Sequence, residues 1–483
     1  MNRLARMTAL TLALLCLFTI GAGAAIARLM PVRLALFELP LIAGARRGAW
    51  PGALTAGGAP TGSPTPAGVA ARLSGLISSG GLGADAGALV MNLSSGQVLY
   101  SRDAGTGFTP ASTTKLATSV AAIYTLGPAA RFTTSVTLTP AQGGSASRVI
   151  TLVGGGDPTL AAGRYPASSY PQPATLVSLA AQAAGALRSK GISSVRLTYD
   201  NSLFTGPILA PGWPGFGSAD NYITTGNVAP ITGLEVDQGR LTPAGRPQDA
   251  DDPSNYLPRS QTPGLEAAVA FAGFLRKDGI TVVNTPAHAK GHQGAVIAVV
   301  RSVTVAQMVQ WMLQESNNVI AETLARHVAI ATGRPGTFSG AAHAVMAVDA
   351  SLGVHGIHLF DGSGLSPLDL ISPRALVELI ELAAGPRFPA LRAVITGLPV
   401  AGFAGTLGPG SPFGPFGRVA LGTVRAKTGN LQGVATMAGI AYAADGSLLV
   451  FAFMGNDIGQ QQGPQAESML SRLATQLAGC GCR

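Results

Sequence analysis

Charge is scarce in this sequence. Asp, Glu, Lys and Arg make up 11% of the residues against 47% hydrophobic ones, a balance that excludes a disordered chain. Lysine is scarcer still: five among 483 residues (Lys115, Lys190, Lys277, Lys290 and Lys427), the remaining positive charge being arginine. The net charge of +9 is scattered, with no basic run and no nucleic-acid motif, so no nucleic-acid partner is expected. A basic average of this kind suits a neighbour of anionic lipids or wall polymers. Cysteine occurs three times. Cys16 follows Leu15, where a lipidated cysteine would need a small residue before it. Cys480 and Cys482 form a terminal Cys-Gly-Cys that could close a disulfide outside the cytoplasm or hold a metal weakly. The plainest expectation is a frayed tail. The six histidines make no His-Glu-x-x-His pattern, which argues against a zinc peptidase, and no metal or cofactor is expected. Gly154-Gly155-Gly156 follows an apolar run, but Asp157-Pro158 stops a helix from starting there, against a phosphate loop. No internal repeat is visible.

One long apolar run is present. Arg3 and Arg6 precede an uncharged stretch from Met7 to Ala27 that ends in Ala25-Ile26-Ala27, the small-x-small pattern of a signal-peptidase site. The same length could remain as an anchor; either way the body of the chain is exported. Gly44 to about Ala67 is Gly, Ala, Pro, Ser and Thr, a linker composition. Beyond it, Val69, Leu73 and Leu76 mark a helix. Ala88–Leu93 and Gln97–Tyr100 flank Ser94-Ser95-Gly96 as a hairpin, and Ser112–Leu126 has the helical period. The middle alternates strands (Val149–Val153, Val195–Tyr199, Ile280–Val283, Val296–Val300) with helices at Ala174–Leu187 and Leu265–Arg276. Helices follow at Val305–Leu313, Asn317–Ala331, Gly340–Leu352 and Pro373–Leu382. Strands near Val424–Lys427, Val434–Tyr442 and Leu448–Met454 and a helix at Gln465–Leu477 end the chain. A hairpin alone is too small to be stable, so the early strands should join the late ones in one sheet, making the middle an insertion.

Three short motifs occur in order. In Pro110-Ala111-Ser112-Thr113-Thr114-Lys115 the hydroxyl and the amine stand at i and i+3, one face of a starting helix. A desolvated lysine can take the serine's proton and make it a nucleophile. Ser316-Asn317-Asn318 lies between two helices and by itself reads as a helix cap. Lys427-Thr428-Gly429 sits on an apolar strand, whose edge offers backbone groups to an extended peptide while the lysine and threonine offer a cation and a hydroxyl to its carboxylate. Each is weak alone; the ordered set is a strong signal.

The set resembles the D-alanyl-D-alanine carboxypeptidase/endopeptidase family, class C low-molecular-mass penicillin-binding proteins (peptidase family S13). The resemblance runs over about residues 69 to 475 and includes Gly154-Gly155-Gly156-Asp157-Pro158 and Asp361-Gly362-Ser363-Gly364-Leu365-Ser366. About 200 residues separate Lys115 from Ser316, more than in class A β-lactamases. It implies a mixed α/β fold: a β-lactamase/transpeptidase-like domain, with an antiparallel five-stranded sheet flanked by helices, and inserted β-rich domains. The expected division is 1–27 export segment or anchor, 28–68 linker, 69–140 with 299–483 catalytic, and 141–298 inserted. The resemblance also implies the site. Ser112 is the nucleophile and Lys115 its base. Ser316, in contact with Lys115 and Lys427, passes a proton to the leaving D-alanine. Asn318 orients the peptide, Lys427 and Thr428 hold its carboxylate, Gly429 leaves room for it, and the N–H groups of Ser112 and Asn430 form an oxyanion hole. Implied partners are peptidoglycan stem peptides and, as covalent inhibitors, β-lactams, with extracytoplasmic action and membrane contact only through the N-terminal segment. A serine β-lactamase and a non-catalytic wall or sensor protein are the competing readings.

Overall fold

The computed structural model describes residues 63–140, 148–165, 170–241, 257–291, 294–416 and 418–482. The expected export segment and most of the expected linker lie outside them. Helix α1 (Pro66–Ile77) starts with Thr65 accepting the Gly68 N–H and proline at its first position. Strands β1 (Asp85–Asn92) and β2 (Val98–Arg102) follow. Asn92 shapes the turn between them, its Oδ1 accepting the N–H groups of Ser94 and Ser95. A 3-10 turn, Ala111–Thr114, leads into α2 (Lys115–Leu126). Next come β3 (Thr133–Leu138), β4 (Arg148–Val153), α3 (Leu176–Arg188), β5 (Ser194–Asp200), α4 (Pro263–Lys277), β6 (Thr281–Val282), β7 (Ala287–His288) and β8 (Ala295–Arg301). Helices α5 (Val305–Gln314), α6 (Asn318–Ala331) and α7 (Phe338–Ser351) precede the short pair β9 (Ile357–His358) and β10 (Leu370–Ile371). Helices α8 (Pro373–Ala384) and α9 (Arg392–Gly397), strands β11 (Val424–Leu431), β12 (Val434–Tyr442) and β13 (Leu448–Asn456), and α10 (Gly463–Ala478) complete the chain.

The early hairpin and the three late strands form one antiparallel sheet, in the order β11-β12-β13-β1-β2. β1, β12 and β13 read as nearly unbroken apolar runs because both faces are covered. Leu89 and Met91 of β1 and Val450, Ala452 and Met454 of β13 pack with α2 and with α5 to α9. Their alternates, Ala88, Val90, Leu449, Phe451 and Phe453, pack with α1 and α10. Each fully buried Phe or Val stabilises the sheet by about 1.5–3 kcal/mol.

A second sheet has the order β6-β5-β4-β3-β8, with β7 also beside β5. β4 and β5 run parallel, as do β5 and β6, and parallel neighbours need a crossover; α3 and α4 supply it and share the sheet's apolar core. The middle of the chain, expected as an insertion, thus holds a helix-bearing mixed sheet. Its limits differ from those expected at 140/141 and 298/299. β3, which the sequence reading left out although threonine favours strands, pairs with both β4 and β8. The boundary at 298 would cut β8, so the sheet runs from Thr133 to Arg301.

The C-terminus also departs from expectation. Cys480 and Cys482 form a disulfide and are buried in the core beneath α1 and α10. The Thr65 N–H donates to Cys482 O at 2.7 Å. The tail is pinned, not frayed.

Candidate active site

The turn carrying Ser112 is held from two sides. Thr436 Oγ1 on β12 and Thr113 Oγ1 both donate to Pro110 O at 2.7 Å. Ala111 has φ +46°, a conformation that costs a non-glycine residue about 1–3 kcal/mol. β11 passes so near that a Cβ on Gly429 would lie 2.4 Å from Thr436 Oγ1, 2.7 Å from Pro110 O and 2.9 Å from Ser112 N. A side chain there would push strand and nucleophile apart.

Lys115 is fully buried. Its Nζ meets Ser112 Oγ at 2.8 Å, Asn318 Oδ1 at 2.7 Å and the Ser363 carbonyl at 2.8 Å. Two of these partners can only accept. A neutral amine has two N–H donors and one lone pair, so with its donors on Asn318 and Ser363 the lone pair is left for the Ser112 hydroxyl. Burial lowers Lys115 to about 7, against Asp361 and Glu322, which raise it. An amine so placed can accept a proton near neutral pH.

The Ser-Asn-Asn segment divides between two tasks. Asn317 is the cap of α6, its Oδ1 accepting the Ile320 N–H at 3.0 Å and its Nδ2 donating to Gln238 Oε1 at 2.9 Å. Asn318 faces Lys115, and its Nδ2 donates to Asn227 O at 2.9 Å, which fixes the orientation of the amide. Ser316, with φ +55°, is half-buried. Its expected contact with both lysines is not made: among the described residues no hydrogen bond joins it to either. The partners of Lys115 are already complete, and Lys427 Nζ donates to Thr428 O at 2.7 Å.

Lys427 is also fully buried. Burial first, then the like charge of Lys115, hold it well below the usual lysine range. Ser112, Ser316, Asn318, Thr428 and Asn430 line a cavity of about 350 Å³, the size of a small-ligand site. Lys115, Lys427 and Gly429 lie behind that wall. β11 is an edge strand. Pro399 and Ala401 bond its outer edge at Ala426 and Val424, and from Thr428 onward it lines the cavity.

Residues 69–256 and 245–477 match the model of the D-Ala-D-Ala carboxypeptidase 3 (S13) family. The chain belongs to that family. It is 35% identical over 426 residues to the carboxypeptidase DacB of Mycolicibacterium smegmatis, covering 88% of this chain and 86% of the relative. It is 28% identical over 462 residues to the D-alanyl-D-alanine carboxypeptidase of Actinomadura sp., covering 82% and 81%. Among solved structures it is similar to penicillin binding protein 4 of Haemophilus influenzae, with TM-score 0.65, 23% identity, and coverage of 82% of this chain and 98% of that one. That protein has also been solved in complex with a β-lactam. The structural likeness shows a shared fold.

Some members of the site escaped the sequence reading. The Asp361–Ser366 stretch was marked by the family resemblance without a task, and its Ser363 carbonyl is a direct partner of Lys115. Asn227 and Gln238, which hold Asn318 and Asn317, had no sequence signal at all.

Proposed function

We propose that the chain is a serine-type D-alanyl-D-alanine carboxypeptidase of peptidoglycan stem peptides. The single observation that carries this reading is the buried Lys115 amine, held by two acceptors, Asn318 Oδ1 and the Ser363 carbonyl, with Ser112 Oγ as its third partner at 2.8 Å. Lys115 takes the hydroxyl proton as Ser112 Oγ attacks the carbonyl between the two D-alanines. The N–H groups of Ser112 and Asn430 stabilise the resulting oxyanion, where one donor is worth about 3 kcal/mol. The proton returns to the departing D-alanine nitrogen by way of Ser316, which lines the same cavity and makes no hydrogen bond to Lys115 before the peptide is bound; the C–N bond breaks, and an ester on Ser112 remains. Water, giving its proton to Lys115, hydrolyses that ester.

The peptide lies along the free part of β11 as an added strand, with Asn318 on its amide. Its terminal carboxylate meets Thr428 on the cavity wall, and the Lys427 amine behind it takes up a proton as the carboxylate arrives. Lys427 has no acidic partner among the causes that shift it, and an arriving carboxylate supplies the missing counter-charge. β-Lactams, which present a carboxylate and a reactive amide, acylate Ser112 in the same way. The Met7–Ala27 segment delivers the chain outside the cytoplasm; among the described residues no helix is long and apolar enough to cross a membrane. The second sheet is read as an inserted folding unit, since it has its own core and its first and last strands pair, Thr133 opposite Arg301.

The test is incubation with pentapeptide muropeptides, followed by mass spectrometry. Loss of one D-alanine by the wild type but not by Ser112→Ala is expected. Intact pentapeptides, or equal cleavage by Ser112→Ala, would contradict the reading.

A further inference from the structure

Near Lys115, and outside the cavity lining, lie three buried carboxyl groups: Glu322 on α6, and Asp361 and Asp369 on the segment joining β9 to β10. The mechanism uses none of them. Glu322 accepts the Gly362 N–H on both oxygens at 3.1 Å and the Ser363 N–H at 2.8 Å, and it also takes the Ser363 hydroxyl. Asp361 accepts the N–H groups of Ser363, Gly364 and Ser366 and the indole N–H of Trp213. Asp369 accepts the Phe360 N–H and lies against Asp361. The loop between them has little freedom. Gly362 O accepts from Thr118 Oγ1 at 2.6 Å. Gly364, at φ +82°, sits where a Cβ would be 1.9 Å from Ala111 O. This loop presents the Ser363 carbonyl to Lys115 Nζ.

Resting on the reading of Lys115 as base, we propose that Glu322 is a positioning residue for acylation. By gripping the Gly362 and Ser363 N–H groups it keeps the Ser363 carbonyl on Lys115, so that the amine's lone pair, and not an N–H, faces Ser112. The Ser363 carbonyl shares its rigid peptide plane with the Gly364 N–H, which Asp361 Oδ1 holds at 2.7 Å, while Glu322 holds the preceding plane at the Ser363 N–H. Only the φ and ψ of Ser363 lie between the two grips, so losing the Glu322 carboxylate frees the first plane and lets the carbonyl turn away. Lys115 would then direct an N–H toward Ser112.

The second consequence is electrostatic. Lys115 feels Asp361 and Glu322 from one side and Lys427 from β11 on the other. Glu322 feels Asp361 and Arg326, and is held above the usual carboxylate range by burial and then by Asp361. Asp369 is raised well above the carboxylate range by burial and then Asp361. Burial moves the two groups toward each other, Glu322 up and Lys115 down, so the acid limb of the acylation rate belongs to the pair. An ionised Glu322 favours charged Lys115, so removing it lowers the pH at which the amine becomes free.

The test is the pH dependence of the acylation rate with a fluorescent penicillin, for wild type, Glu322→Gln, Glu322→Asp and Ser363→Ala, with thermal melts alongside. For Glu322→Gln the rate at its optimum should fall about tenfold or more, and the midpoint of the acid limb should move down by about one pH unit. Ser363→Ala removes one donor from Glu322 and should move the midpoint the same way by less, which keeps the test valid if Glu322→Gln does not fold. Glu322→Asp, keeping the charge, should hold the midpoint and lose rate only. A lowered melting temperature with an unmoved midpoint in both Glu322→Gln and Ser363→Ala would make Glu322 purely structural and overturn the proposal. A wild type with no acid limb, or a Lys115→Ala variant that acylates normally, would remove the base itself and the proposal with it.

Discussion

The two walls of the cleft each contribute one fully buried lysine, and the two are set in opposite surroundings. On the helix side, Lys115 has three hydrogen-bond partners and two acidic neighbours, Asp361 and Glu322. On the strand side, Lys427 has one among the described residues, the Thr428 carbonyl, and its electrostatic neighbour is Lys115. Burial lowers both, but only Lys115 has its remaining valence aimed at a hydroxyl. The difference teaches that burial alone does not define a task. A lysine whose donors are all spoken for becomes a base, whereas one left short of a counter-charge becomes a receptor for an anion.

Removing Lys115 should have the largest effect. Lys115→Ala is expected to lower the acylation rate by about 10²–10⁴-fold, the usual worth of a positioned base. Lys115→Arg should be as poor, because a guanidinium does not give up its proton. In the wild type the acylation rate should climb as pH rises through about 7, where Lys115 loses its proton. A flat profile from pH 5 to 9 would remove the contrast between the two walls.

Next in size is Lys427→Ala, which leaves the substrate carboxylate without its cation. A loss of about 2 kcal/mol, roughly thirtyfold in kcat/KM, is expected, with Lys427→Arg keeping part of the activity. Unchanged acylation and turnover in Lys427→Ala would dismiss the strand-side role. A smaller loss, about tenfold in acylation, should follow Gly429→Ala, since the added methyl meets Pro110 O and Ser112 N. Stopped-flow acylation would read it.

The smallest effect concerns stability and carries the opposite sign. A lysine whose folded pKa lies below its unfolded value binds fewer protons folded than unfolded. Stability therefore rises with pH between the folded value and the ordinary lysine range, and at neutral pH the buried lysine destabilises the fold. Lys427→Met should stabilise the protein by about 1 kcal/mol, while Lys115→Met, which also forfeits three hydrogen bonds, should gain less. Melts at pH 7 showing the reverse order would blur the two walls.

Much of this arrangement was legible in the sequence because it rests on local rules. Apolar periodicity marked α2, α6 and β11 to β13, and the instability of a lone hairpin led β1 and β2 to the late strands. The spacing of Ser112 and Lys115 told of one helical face. What stayed hidden was non-local or carried by backbone. β3 is a short, threonine-rich strand whose place between β4 and β8 comes from pairing. The Ser363 carbonyl has no side-chain signature. The tail of Cys480 and Cys482 is fixed by α1, more than 400 residues away in the chain. The separate standing of the inserted sheet can be tested by expressing residues 131–303 alone; a cooperative melt is expected, and a molten segment would make it a dependent extension.

The most direct measurement of the central claim is peptide mapping of the protein after incubation with a penicillin. The account predicts one covalent adduct per chain, on the peptide containing Ser112, and none in Ser112→Ala. An adduct on any other residue, or none on a folded wild-type protein, would contradict it.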